Sequence, residues 1–257
     1  MNIQEILRLS QDELYEYALS FLREHEIPFE HTSQHKWIFV KGNAPVLLVA
    51  HLDTVHPRPP RKILQDEEQS LLWSPDGIGG DDRCGVYAIL TILLDMPKEY
   101  LPSVLFTTDE ETGGWGVQDF MKTYPAPPVD LRYIIELDRA GENDCVFYSC
   151  YNPEFEKYVQ KYRFKQAYGS FTDISFLAPK WGIAAVNLSC GYYNPHTLSE
   201  YIDMEDLYYT VERVESMIDE SFNVPMFKYI PLTPESRIPY SHWPVNELYD
   251  MEGDDEE

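Results

Sequence analysis

Five side chains of metal-binding type, His51, Asp81, Glu111, Asp138 and His196, stand beside separate local motifs. His51, Glu111, Asp138 and His196 each follow a run that reads as a strand, whereas Asp81 opens a helix. Mixed imidazole and carboxylate donors suit divalent cations. HLDTV closes the apolar run PVLLVA (Pro45–Ala50), a short buried strand by its pattern. Side chains alternate along extended backbone, so His51 and Asp53 face one way and Leu52 the other. That spacing suits a ligand and its orienter, because a metal-bound imidazole normally gives its second ring N–H to a carboxylate. Alone, an Asp near a His is more often an ordinary hydrogen-bonded pair, so the motif gains weight only from its companions.

GIGGDDRCG (Gly77–Gly85) leads into the amphipathic run CGVYAILTILLDM and puts Asp81 and Asp82 at a helix start. One Asp there is ordinarily an N-cap, favoured by the helix dipole. Two acids after glycines, without the Lys of a phosphate loop, favour a cation over an anion. TTDEETGGWG (Thr107–Gly116) follows the strand-like SVLF. On near-extended backbone Glu110 and Glu111 would project in different directions, leaving one for metal and the other for substrate; a solvated acidic turn is the plain alternative. Such a division suits hydrolysis, in which a cation lowers the pKa of water towards ~7 and a carboxylate carries its proton to the leaving amine. Asp138 ends RYIIEL (Arg132–Leu137), and His196 lies in NPHTLSE after AAVNLSC (Ala184–Cys190). Singly, such an Asp is usually a turn residue and such a His a surface one. Jointly they occupy strand ends, where open α/β sheets bind ligands.

In order, HLDTV, GGDDRCG, TTDEETG, ELDRAG and NLSCGYYNPH resemble the metal motifs of the co-catalytic zinc exopeptidases. The nearest resemblance is to the peptidase T, aminoacylase and carboxypeptidase G-like group, and it runs over roughly residues 45 to 220. GSFTDISFLAPKWGIAAVNLSCGYYNPHTLSEYI (Gly169–Ile202) resembles that group's C-terminal block. The resemblance implies a three-layer α/β/α domain with a mixed, mostly parallel sheet. It implies two Zn2+ ions bridged by Asp81, with His51 and Asp138 on one and Glu111 and His196 on the other. It also implies Glu110 as general base and Asp53 as the residue that orients His51. Mn2+ or Co2+ is compatible with so many carboxylate donors.

Three departures accompany the resemblance. Arg83 stands where the motif has Lys. The two-domain members insert a lid between the lone Asp and the late His, but here about 60 residues separate them. A strand over CVFYSC, a helix from about Pro153 to Phe164, another near Thr172–Ala178 and the strand at Ala184 fill that interval, leaving no room for a domain. The expectation is a bare catalytic domain over 1–221, in architecture like the single-domain aminopeptidases. The third departure is the extension 222–257, where Pro225, Pro231, Pro234, Pro239 and Pro244 alternate with Phe227, Tyr229, Tyr240, Trp243 and Tyr249 before the acidic MEGDDEE. It reads as a strap on the body, or as a cover for the site, ending in a disordered tail.

With 257 residues and 44% hydrophobic content the chain can bury one substantial core. Ser10 and Glu13 have capping-box spacing before a helix with Tyr15, Ala18, Leu19 and Leu22 on one face, and a hairpin is expected around Phe29–Lys41. Met1–Ile27 lacks the basic start and apolar core of a signal peptide, and no run reaches ~20 apolar residues. Cys84, Cys145, Cys150 and Cys190 lack metal spacing and read as free thiols of a cytoplasmic protein. A formal charge of −24 argues against nucleic acid and anionic membranes as partners. The expected partner is a small peptide or an N-acyl amino acid; oligomeric state is open. Arg139, beside Asp138, is placed to receive a carboxylate, and Tyr192, Tyr193 and Asn194, before His196, to line a pocket. An acidic rim and the missing lid lean towards an aminopeptidase. Carboxypeptidase and N-acyl amino acid deacylase chemistry use the same frame, and a metal-stabilised binding protein is the alternative outside enzymes. Glu110 separates the classes, since a structural metal has no use for a carboxylate that is not a ligand.

Overall fold

The computed structural model describes residues 1–232. Helices α1 (Ile3–Leu7) and α2 (Gln11–Glu24) lead the chain. Glu13 N donates to Ser10 Oγ at 3.4 Å and Ser10 N to the Glu13 carboxylate at 2.9 Å, forming the capping box expected at α2. The antiparallel hairpin β1 (Phe29–His31) and β2 (Trp37–Val40) follows. Next come β3 (Ala44–His51), β4 (Leu64–Asp66), β5 (Leu71–Trp73), α3 (Gly80–Asp95) and β6 (Pro102–Thr107). Then follow α4 (Trp115–Thr123), β7 (Tyr133–Arg139), β8 (Asp144–Val146), α5 (Pro153–Gln160) and β9 (Lys165–Gln166). The remainder is α6 (Ile174–Trp181), β10 (Ala185–Ser189), β11 (Tyr192–Tyr193), β12 (Tyr201–Asp203) and α7 (Met204–Ser221).

The main sheet runs β1-β2-β6-β3-β7-β10-β8-β9. Its centre, β6, β3, β7 and β10, is parallel, with β2 and β8 antiparallel to their central neighbours. Both faces of the central strands are buried, which is why β3 reads as a continuous apolar run. Alternation divides its side chains: Val46, Leu48 and Ala50 pack on the α1, α2, α3, α5 and α7 side, while Leu47 and Val49 meet α4 and α6. The result is the expected three-layer α/β/α arrangement. From β3 the chain crosses to β6 on one side and then back past β3 to β7 on the other, so the order reverses where His51 ends its strand. Ligands of open α/β sheets bind at such a reversal. A small antiparallel sheet, β11-β12-β5-β4, flanks that end.

Several elements differ in extent from the sequence reading. Of CVFYSC (Cys145–Cys150) only Cys145 and Val146 lie in a strand, β8, because Tyr148 takes a positive φ of 46° and turns the chain out. Helix α5 stops at Gln160, and the second helix starts at Ile174. The acidic segment after β6 is a turn and not extended: Gly113 N bonds Glu110 O at 2.9 Å and Asp109 has φ 59°.

The described part of the extension is a strap at the amino ends of the strands. Phe227 N donates to Arg132 O, just before β7, and Ala184 N, just before β10, donates to Phe227 O, both at 2.8 Å. The Phe227 ring is buried against Tyr133, Phe155 and Tyr158, at centroid distances of 6.2, 5.1 and 5.3 Å. It therefore braces the end of the sheet remote from His51 and does not cover it; the tail reading falls on 233–257, outside the described residues. Phe227→Ala is expected to cost about 3–4 kcal/mol of stability in denaturant unfolding and to leave metal affinity unchanged. Weaker metal binding in that variant would contradict this separation of the two ends.

Candidate active site

His51, the last residue of β3, is 1% exposed. Its Nδ1 lies 3.2 Å from Asp53 Oδ1, and its Nε2 faces Asp81 Oδ1 at 3.2 Å and Asp138 Oδ1 at 3.6 Å. His196 Nε2 faces the other Asp81 oxygen, Oδ2, at 3.1 Å and Glu111 Oε1 at 3.2 Å. Asp81 thus stands between two imidazoles, each with a further acid of its own. Glu110 Oε2 approaches the His51 side at 4.0 Å.

The residues fit a metal pair. Asp81 Oδ1 and Glu111 Oε1 are buried without a hydrogen-bond partner, a costly condition that a cation would relieve. Ligands about 2.0–2.2 Å from a tetrahedral zinc lie about 3.3–3.5 Å apart, close to the separations here. His51, Asp81 and Glu111 bring donor atoms within 4.8 Å of one another, and so do His51, Asp82 and Asp138. Asp82 is nevertheless a poor donor, because its oxygens are spent on backbone amides. Oδ2 accepts from His51 N at 3.1 Å and Oδ1 from Gly85 N at 3.0 Å, so the helix-capping role of the acid pair falls to Asp82 and leaves Asp81 free. The peptide between them is cis, and both have non-helical backbone ahead of the regular turns of α3. Gly85 lets α3 approach β7, since a Cβ there would fall 2.0 Å from Leu137 O.

Asp53 organises more than His51. Its Oδ1 accepts from Glu110 N at 3.1 Å and its Oδ2 from Glu111 N at 3.0 Å, so one carboxylate aims the first imidazole and the acidic turn together. Burial pushes Asp53 up, but His51 and the two amides outweigh it and hold the carboxyl below its usual range. Burial, with Asp138 and Asp173 adding to it against the pull of His51, pushes Glu110 up to about 8. Burial and Asp81 push Glu111 up to about 7. The hydrogen bond that His196 donates to Asp81 raises His196 to about 9. His51 stays well above its ordinary value despite burial, because Asp53 and Asp138 face it.

The residues read from sequence as substrate contacts are engaged elsewhere. Arg139 Nη2 pairs with Asp144 at 3.6 Å. Tyr193 donates to Asp206 and stacks on Tyr201 at 4.8 Å, while Asn194 is exposed and bonds Ser199 O at 3.4 Å. Alternation along β11 instead turns Tyr192 inward, where its hydroxyl donates to Asp138 Oδ1 at 3.1 Å. Thr172 Oγ1 donates to Asp138 Oδ2 at 2.9 Å, and the Asn187 amide spans the Asp138 backbone, accepting from N at 2.9 Å and donating to O at 2.6 Å. The sequence reading assigned Thr172 and Asn187 no role; both lie inside the resembling C-terminal block, the one signal that could have singled them out. Arg83 is buried and gives its guanidinium to Leu52 O, Asp53 O and Leu9 O, locking the loop after His51.

Ligation needs neutral imidazole. In the metal-free chain His196, raised to about 9, favours the imidazolium at pH 7, and the facing acids push His51 in the same direction. Metal loading at pH 7 is therefore expected to release protons, and apparent affinity to climb with pH until about 9, where His196 loses its proton unaided. Calorimetry in buffers of different ionisation enthalpy measures the release, and its absence would remove the histidines from the ligand set.

Residues 37–179, over half the chain, match peptidase family M28; His196 lies beyond the matched segment. No curated relative matches the sequence. Among solved structures the chain is similar to an aminopeptidase, PepT, from Bacillus cereus, with a TM-score of 0.70 at 13% identity over 86% of this chain and 97% of that one. It is also similar to a tripeptidase from Staphylococcus aureus, with a TM-score of 0.69 at 13% identity over 86% and 97% of the two chains. A third similarity is to an aminopeptidase from the archaeon Desulfurococcus kamchatkensis, with a TM-score of 0.61 at 15% identity over 85% and 93%. At these identities the likeness is one of fold, and the family rests on the sequence match: the chain belongs to peptidase family M28 and is a peptide hydrolase.

Proposed function

We propose that the chain is a two-metal aminopeptidase that removes N-terminal residues from small peptides, with zinc as its metal and residues 1–221 as its catalytic unit. One observation carries the reading: the two oxygens of Asp81 each meet a different histidine, paired with a different second acid, beside a carboxylate that joins neither set. His51 and Asp138 would hold one ion, Glu111 and His196 the other, and Asp81 both. Bound there, the ions supply Lewis acidity that acidifies water and polarises a carbonyl.

The protein's own groups do the rest. Glu110 takes a proton from the attacking water at Oε2 and returns it to the leaving amine nitrogen. Its burial and acidic surroundings favour the protonated form and so make it a stronger base than a solvated carboxylate. Asp53 holds His51 and the amides of Glu110 and Glu111, so base and ligands keep one spacing through the reaction. Tyr192 and Thr172 fix the Asp138 carboxylate.

The leaning towards a free α-amine rests on charge. Arg83 is consumed by carbonyls and Arg139 faces Asp144 at 3.6 Å, while acids crowd the centre, so the site suits an ammonium better than a carboxylate. The relatives named aminopeptidase and tripeptidase point the same way. Glu110→Ala is expected to lower kcat by 10²–10⁴-fold, or more, while metal content stays near wild type. Zinc-loaded protein offered free di- and tripeptides beside N-acyl amino acids, with products identified by mass spectrometry, should release N-terminal residues only. Release from blocked substrates would move the reading to a deacylase or carboxypeptidase, and full activity in Glu110→Ala would remove Glu110 as the base.

A further inference from the structure

Glu200, which follows His196 by one short turn, is 1% exposed yet faces no Lys or Arg within ion-pairing distance among the described residues. Its Oε1 accepts from Asp81 N at 3.0 Å, and its Oε2 from Gly79 N at 2.9 Å. His56 Nε2 lies 3.1 Å from Oε2 and must be the donor, since a carboxylate only accepts. Glu200 N donates to Thr197 O at 3.3 Å, closing the turn that directly follows His196, and β12 begins at the next residue. One side chain therefore ties the backbone of the bridging acid to the loop of the late histidine.

That tie has a specific task. His51 closes β3 and Asp138 lies next to the end of the neighbouring β7, so the pairing of these two strands, which runs to Val49 and Glu136, constrains their separation. His196 has no such support: it sits at φ 62° on an exposed turn, with its side chain 53% exposed. Its position relative to Asp81 depends on contacts across the gap between the start of α3 and the turn before β12. Glu200 accepts two hydrogen bonds from the start of α3 and a third from His56, and hydrogen bonds to a carboxylate are short and strong.

Resting on the two-metal reading above, we infer that Glu200 is a positioning residue that holds Asp81 and His196 at ligating separation and so sets the affinity of the Asp81, Glu111 and His196 half of the site. The His51 and Asp138 half shares only Asp81 with it and feels its loss less, because sheet pairing of β3 and β7 supports its other two residues.

The test titrates metal-free full-length protein with Co2+, followed by calorimetry and visible absorption, for wild type, Glu200→Gln and Glu200→Asp. Wild type should take two equivalents. Glu200→Gln keeps one acceptor oxygen and turns an amide against a backbone N–H. It should bind the first equivalent within about 3-fold of wild type and the second at least tenfold more weakly, in the range seen when residues that orient ligands are removed. Glu200→Asp keeps the charge without the reach and should weaken the same equivalent. Melting of the metal-free variants separates this from simple loss of stability, which would weaken both equivalents together. Should Glu200→Gln fail to fold, His56→Ala removes one donor, leaves the carboxylate in place, and should weaken the second equivalent more than the first. Equal weakening of both equivalents, or none, would overturn the inference. Fewer than two equivalents in wild type would overturn the two-metal reading, and this inference with it.

Discussion

Carboxylates crowded together out of water repel one another and lose hydration, and the site depends on how the chain meets that cost. Burial raises Asp82, Glu110, Glu111, Asp138 and Asp173, and their mutual charge raises most of them further. Backbone amides meet part of the cost. Asp53 takes two N–H groups from the acidic turn, Asp82 takes those of His51 and Gly85, and Glu200 takes those of Gly79 and Asp81. The imidazoles meet another part. Unpaired oxygens remain on Asp81 and Glu111, between the histidines. Acids with their amides in place thus build the site, and acids left open face its centre.

That division requires a scaffold stiff enough to hold like charges close. Parallel strands buried on both faces supply it, since β3, β6, β7 and β10 are each paired on both edges and packed on by helices from both faces. Arg83 adds a lock by filling a buried position with a guanidinium that three backbone carbonyls satisfy. Its charge also offsets the surrounding acids, a role that any cation of the right reach could share with the Lys of the resembling motif.

The two ends of the sheet carry different work. At the carboxyl ends the backbone is irregular, with positive φ at Asp109, Asn194 and His196 and the acids gathered between. At the amino ends the strap around Phe227 closes a cluster of aromatic rings and adds hydrogen bonds before β7 and β10. Stability is concentrated away from the place where polar groups are left unsatisfied, which allows that place to stay open.

Much of this was legible in the sequence. The alternating and continuous apolar runs determine the strands, and Ser10 with Glu13 determines the start of α2, because these signals are local and periodic. The residue types of the five candidate donors and of Glu110 were plain as a set, since each has an ordinary role singly and only their joint occurrence beside strand and helix ends points to a cation. Only the tertiary structure decided which acid of a pair does what. Asp81 is free because Asp82 caps α3, and Tyr192 faces the centre while Tyr193 turns to Asp206, a choice set by sheet register. Arg139 lies 3.6 Å from Asp144, and Thr172, Asn187 and Glu200 reach Asp138 and Asp81 from distant parts of the chain. Local pattern fixes what a residue can do, whereas its partners, and with them its charge and its aim, come from contacts across the fold that spacing along the chain does not encode.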